Sequence, residues 1–187
     1  MERGGAPQRI SIQGISGSAK TTLGRELKRR IGMPHLETDA LVHGPGWSET
    51  PDPELRAMVE PFVLTEHWVI DSDYQRKLGT LVLQHADTVV WLDLPLRVCL
   101  QRLWTRTRRR MKGREHLWNG NTESWGSAFG GPDSLFAFAI RDHFSDRRSL
   151  TELLSRPELA HLRLVRLRSS DEVDRWLAQV AAETEGV

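Results

Sequence analysis

The chain has 187 residues, with 26 Lys plus Arg against 25 Asp plus Glu, seven tryptophans and one cysteine. That length suits one ordinary domain with a full apolar core, the net charge of +1 argues against a surface tuned throughout for nucleic acid, and a lone cysteine excludes disulfides within the chain. Residues 1–9 are polar and lack the apolar core of a signal peptide, and no stretch approaches the roughly 20 apolar residues of a membrane span, so a cytoplasmic, membrane-free protein is expected.

The first periodic stretch is the alternation of Ile10 and Ile12, a strand. It runs into Gly14-Ile15-Ser16-Gly17-Ser18-Ala19-Lys20-Thr21-Thr22 and then into Leu23, Leu27 and Ile31 at helical spacing. Strand, small-residue turn and helix make a phosphate-binding device. Small residues let backbone N–H groups converge on phosphate oxygens, and the new helix contributes its positive dipole end. Lys20 can reach the β- and γ-phosphates of ATP and Thr21 can ligate Mg²⁺, with Gly14, Ser16, Gly17, Ser18, Ala19 and Thr22 forming the cradle. The stretch matches G-x-x-x-x-G-K-[ST] except that Ala19 stands where the last glycine belongs. Alanine fits there if φ is negative and is strained if φ is positive. A Gly/Ser-rich turn that merely caps a helix is the bland alternative, but Lys-Thr-Thr between strand and helix favours nucleotide binding.

Gly32-Met33-Pro34 breaks the first helix, and His35 to Asp39 reads as a short strand ending in a carboxylate. His43 to Trp47 is loop by its glycines and proline. Pro51 to Pro53 opens a helix bearing Leu55, Val59, Phe62 and Val63, which Pro61 is expected to kink or end early. His67-Trp68-Val69-Ile70-Asp71 is a strand that again ends in a carboxylate, followed by a helix to about Gln84. Thr88 to Asp93 is a near-continuous apolar run, as in a strand buried on both faces of a parallel sheet. A helix from Leu96 to about Arg110 comes next, then a Gly-, Asn-, Ser- and Trp-rich stretch from 113 to 132 without a period, read as a lid. Helix resumes over 134–154, Leu162 to Leu167 is a fifth strand, and Val173, Trp176, Leu177 and Val180 mark a closing helix capped by Ser169 or Ser170.

Alternating strands and helices predict one three-layer α/β domain over 1–187, with about five parallel strands, helices on both faces and a basic lid around 105–132. Ligands bind beyond the strand C-termini of such sheets, where the Gly14–Thr22 loop, Asp39, Asp71 and Asp93 all fall. Asp71 is a candidate for the Mg²⁺ shell against the alternative of a helix cap. Asp93 supports the same two readings less strongly. Cys99, in an apolar helical pattern, reads as a buried inert thiol.

From Arg97 to Arg114 the chain is densely basic. Arg102, Arg106 and Arg110, spaced i, i+4 and i+8 on one helical face, are candidates to hold ATP and neutralise the transferring phosphoryl group. A nucleic-acid patch, with Trp104, Trp118 and Trp125 stacking on bases, and a merely solvated helix face are the other readings; nucleic acid is not favoured, because only the first uses the ATP site. Trp68, Trp91 and Trp176 fall in core patterns, while Trp47 and Trp118 fall in loops near the expected cleft. The seven histidines include none at zinc-ligand spacing, so no structural zinc is expected.

With these residues placed, the chain resembles the adenylate-kinase-like small bacterial P-loop kinases, a family that includes DNA topology modulation proteins. The likeness is carried by Gly14 to Thr22, Thr38-Asp39 to Gly46-Trp47, Trp68 to Asp71, Thr88 to Pro95, and Leu117 to Asn121 with Glu123-Ser124. The chain departs from the family at Ala19 and at Ser72. The resemblance implies the nucleoside-monophosphate-kinase fold, ATP, Mg²⁺ and phosphoryl transfer to a small acceptor. It also places Asp39 where related kinases of alcohols carry the group that takes the hydroxyl proton. A nucleoside monophosphate needs arginines instead, and none lies between Asp39 and Arg56, which favours a hydroxyl acceptor with Asp39 and Trp47 at its site. Arg76 could still hold an acceptor phosphate, so a monophosphate kinase is the nearest alternative, and a nucleotide-dependent regulatory module the more distant one.

Overall fold

The computed structural model describes residues 6–71, 74–113, 115–122, 126, 130–131 and 134–185. Five parallel strands, β1 (Arg9–Gln13), β2 (His35–Glu37), β3 (Trp68–Asp71), β4 (Thr88–Leu92) and β5 (Arg163–Leu167), form one sheet in the order β2-β3-β1-β4-β5. The three central strands are the apolar ones. Every residue of β3 and β4 is buried, whereas the edge strand β5 is mostly exposed. Lateral position in the sheet thus follows hydrophobicity.

Both faces are covered, giving the expected three layers. On one face Ile10, Ile12, Val69 and Val90 pack against α1 (Lys20–Ile31) and the last helix, which spans Ser170–Glu185, through Leu23, Leu27, Trp176 and Val180. On the other, Trp68 and Ile70 pack against α3 (Asp52–Val63) through Leu55, Val59 and Val63, with Val42 of α2 (Thr38–Val42) in the same cluster. Helix α4 (Gln75–Leu78) and α5 (Leu81–His85) complete that face. The long α6 (Leu96–Gly113) and α7 (Leu135–Leu154) follow, and the closing helix is α8. Ser134 caps α7 by accepting from the Ala137 N–H, and Ser169 accepts from the Glu172 N–H at the start of α8. No described helix is long and apolar enough to cross a membrane.

Three local expectations need correction. Strand β2 stops at Glu37, so Asp39 lies in the first turn of α2 and not at a strand end. The helix expected through Gln84 is two short ones, because Gly79 at φ +59° turns the chain between them. Pro61 sits inside α3 but in its last turn, and the helix runs on to Val63 before stopping. Trp125, Arg114, Ser72 and a few other residues of the lid expected at 105–132 lie outside the described residues.

Both oxygens of Asp93 accept from arginines rather than from a helix N-terminus. Arg147 of α7 donates from Nε to its Oδ1 at 2.6 Å, and Arg166 of β5 donates to its Oδ2 from Nε at 2.9 Å and Nη2 at 2.6 Å. The Arg166 guanidinium also lies over the Trp91 ring, 4.3 Å from its centroid. One buried carboxylate therefore ties α7 and the edge strand to the end of β4. Asp93→Ala leaves two guanidiniums without their shared anion, and is expected to cost about 2–4 kcal/mol of stability, read as a lower urea midpoint at unchanged slope.

Candidate active site

Beyond β1 the chain turns at Gly14 (φ +147°) and Gly17 (φ +84°). A Cβ at Gly17 would fall on the carbonyl of Cys99 in the first turns of α6, so only glycine lets the loop lie this close. The Ser18 N–H donates to Ile15 O at 3.1 Å, and Lys20 Nζ folds back to donate to Gly14 O at 2.5 Å and Ile15 O at 3.3 Å. The lysine is thus held at the mouth of its own loop. Helix α1 starts with no acidic residue in its first turn, leaving its positive end to an external anion.

Ala19 takes the left-handed conformation, φ 77° and ψ 30°, so it is the strained case. The loop requires φ > 0 there whether or not glycine supplies it. For a residue with a Cβ that geometry costs roughly 1–2 kcal/mol.

Asp71, buried at the end of β3, accepts on Oδ2 from the Thr21 hydroxyl at 2.7 Å and on Oδ1 from the Thr38 backbone N–H at 3.1 Å. The β2–β3 register opposes Glu37 to Asp71, which brings the first residue of α2 within reach of the carboxylate. His35 Nε2 stands 3.6 Å from Oδ2. The imidazole occupies the space a Cβ on Gly24 of α1 would need. Hydroxyl and carboxylate at hydrogen-bond distance form an all-oxygen donor pair suited to Mg²⁺, which keeps much of its hydration and asks few protein ligands.

Asp39 is bound by a residue to which the sequence assigned no role. Tyr74, just before α4, donates from its hydroxyl to Asp39 Oδ1 at 2.9 Å and lies 3.1 Å from His43 Nε2. Around His43 stand Trp47, edge-on at 5.4 Å between ring centroids, and Trp118 at 6.0 Å. The two loop tryptophans do therefore meet near Asp39. Two asparagines join their loops: Asn119 Nδ2 donates to His43 O at 2.6 Å, while Asn121 donates to Gly44 O at 2.9 Å and accepts from the Trp47 N–H at 3.1 Å. Neither asparagine carries a periodic signal, and only their place in a Trp-Asn-Gly-Asn stretch singles them out.

The candidate arginines Arg102, Arg106 and Arg110 of α6 divide between two places. Arg102 donates to Ser18 O of the phosphate loop at 3.4 Å and to Ser170 Oγ at 3.0 Å, and it lines with Arg106, Val98, Gln101 and Thr105 an open groove of about 440 Å³ beside the loop. Arg110 lies 6.0 Å over the Trp118 ring, toward the Asp39 cleft. Arg76 is exposed on α4, and its charge, like that of Lys20, acts on Asp142 of α7. Burial nevertheless raises the Asp142 carboxyl, outweighing Arg141, Lys20 and Arg76. Burial also lowers the nearby His143 imidazole, with Arg147 adding to the effect and Asp93 opposing it. His143 and Arg147 border a small cavity of about 60 Å³ beside Gly14 and Gln13. Cys99 is buried and its thiol is raised by desolvation, as expected of an inert cysteine.

No protein-family model matches the chain, and no curated protein does. Solved structures do. A shikimate kinase from Acinetobacter baumannii in complex with shikimate superposes with a TM-score of 0.56 at 18% identity, covering 96% of this chain and 94% of that one. The chain has the P-loop kinase fold. A shikimate kinase from Aquifex aeolicus is similar at a TM-score of 0.50 and 15% identity, over 95% of this chain and 96% of that one. The P-loop kinase fold has the same sheet of parallel strands enclosed by helices, with the phosphate loop after the central strand β1.

Ala19→Gly relieves the left-handed strain while adding freedom to the unfolded chain. The net gain is expected near 1 kcal/mol, seen as a rise of about 2–4 °C in Tm by calorimetry.

Proposed function

We propose that the protein is an ATP- and Mg²⁺-dependent kinase that phosphorylates a hydroxyl of a small molecule. The observation that carries this is the position of Asp71, whose two oxygens bind Thr21 of the phosphate loop and the backbone of Thr38, the neighbour of Asp39. In this reading Asp71 is the metal acid, and it links the loop that would cradle the triphosphate to the helix bearing Asp39. The family resemblance carried by the phosphate loop and by Trp68 to Asp71 supports the same reading, as does a fold shared with shikimate kinases.

In this reading the loop amides, Lys20 and the N-terminus of α1 hold the phosphates, and Arg102 and Arg106 border the groove for the rest of the nucleotide. Thr21 and Asp71 would hold Mg²⁺, which supplies charge neutralisation across the β- and γ-phosphates. Asp39 orients the acceptor hydroxyl and takes its proton as the acceptor oxygen bonds to the γ-phosphorus and the bond to the β-phosphate oxygen breaks, releasing ADP. Transfer is direct and in line, so no side chain becomes phosphorylated. Arg110 approaches from α6 over Trp118, and Arg76 from α4. A hydroxyl acceptor is preferred to a monophosphate because Arg56, the first cation after Asp39, donates to Leu78 O at 3.4 Å and is directed at α4. The proposed enzyme acts in the cytoplasm on ATP and one small acceptor.

The test is ADP release from ATP and Mg²⁺ across shikimate, other hydroxylated metabolites, nucleosides and nucleoside monophosphates. Acceptor-dependent release with a hydroxyl compound supports the assignment, and release only with monophosphates replaces it by a monophosphate kinase. Lys20→Ala is expected to lower turnover by about three orders of magnitude or more with the circular dichroism spectrum unchanged; a fully active variant would remove the site. Asp39→Asn is expected to lower kcat by about 10²–10⁴-fold while ATP binding by calorimetry is retained.

A further inference from the structure

Tyr74 lies at the centre of a three-residue chain in which each atom's role is fixed by its donors. An ionised carboxylate only accepts, so the phenol proton points to Asp39 Oδ1, 2.9 Å away. The contact of 3.1 Å between the same oxygen and His43 Nε2 must then be donated by the imidazole. His43 is therefore in the Nε2–H tautomer, set by Tyr74. The chain runs from imidazole N–H to phenol to carboxylate, and it leaves Asp39 Oδ2 for the acceptor.

The three members come from two elements. Asp39 is in α2, His43 caps the end of that helix, and Tyr74 precedes α4. His43 is itself held by Asn119 at its carbonyl and by Trp47 and Trp118 around its ring. A short helix of five residues would fix a carboxylate rotamer poorly by itself. The phenol supplies the missing constraint.

Resting on Asp39 as the acceptor's base, we infer that Tyr74, polarised by His43, is the positioning residue that sets which Asp39 oxygen meets the acceptor hydroxyl. Tyr74 holds its own proton throughout. The acceptor proton goes to Oδ2, and the bond from Tyr74 to Oδ1 keeps the carboxylate turned toward the reacting oxygen. His43 donation makes the phenol a stronger donor and holds it away from rotamers in which Oδ1 would be lost.

The chain contains a single tyrosine, so tyrosine labelled at the ring carbon bearing the hydroxyl gives one nuclear magnetic resonance signal, and that signal is Tyr74. It is expected to move in Asp39→Asn and in His43→Ala. In parallel, ADP release from ATP and Mg²⁺ is measured with shikimate, adenosine and water as acceptors. Tyr74→Phe is expected to lower kcat by about 10- to 100-fold with the KM for ATP unchanged. His43→Gln, which keeps an N–H donor, should retain more activity than His43→Ala. A Tyr74→Phe enzyme with wild-type kcat beside an impaired Asp39→Asn enzyme overturns the positioning role and leaves the base intact. A resonance unmoved by Asp39→Asn also overturns it. If Asp39→Asn itself keeps the wild-type rate, the base assignment falls first and the positioning role with it.

Discussion

The site depends on how a single buried carboxylate divides its two oxygens. Asp71 takes a hydroxyl hydrogen bond from the phosphate-binding helix on one side and a backbone hydrogen bond from the start of α2 on the other. Neither contact is optional for a buried anion, which is costly without partners. The sheet makes both possible: β3 lies between β1 and β2, so its last residue is equidistant in topology from the loop after β1 and the helix after β2. The loop after β1 and the helix that carries Asp39 are thereby positioned from a common centre, and a shift of β3 would displace both together.

A second anion does comparable work at a distance from the chemistry. Asp93 follows β4 as Asp71 ends β3, yet two guanidiniums consume it. Its neighbours decide its role. The edge strand β5 is mostly exposed and gains little from burial, so the bonds of Arg166 to Asp93 and its stacking on Trp91 fasten it where apolar packing does not. The same carboxylate fixes α7, whose Asp142 and His143 lie toward the phosphate loop.

What was legible in the sequence is what local pattern determines. The apolar runs read over 67–71 and 88–93, the small-residue turn between strand and helix, and the Ser169 cap each carry their signal within a few residues, and the observed strands, turn and cap fall there within a residue. Strand β2 has three residues, too few for a period to show where it ends, and so Asp39 was placed in a strand when it begins a helix. The split between α4 and α5 turns on the conformation of Gly79, which composition does not reveal. Ala19 was recognised as the doubtful position, and only the backbone shows that it is left-handed. Asp71 and Asp93 look alike as sequence, an acid ending an apolar strand. They differ through Thr21, Arg147 and Arg166, all more than 45 residues away from the acid they meet. Tyr74, His43 and the asparagines of the 118–121 stretch are likewise joined by tertiary contacts alone.

Gly24 stands in the middle of α1, where glycine weakens a helix by roughly 1 kcal/mol relative to alanine. Its hydrogen atom faces the ring of His35, and that ring faces Asp71. The helix thus gives up part of its intrinsic stability to make room for the imidazole behind Asp71. A methyl group there would favour the helix locally and press on the His35 ring, so the most obvious helix-stabilising substitution in α1 is also one that reaches Asp71 through its neighbour.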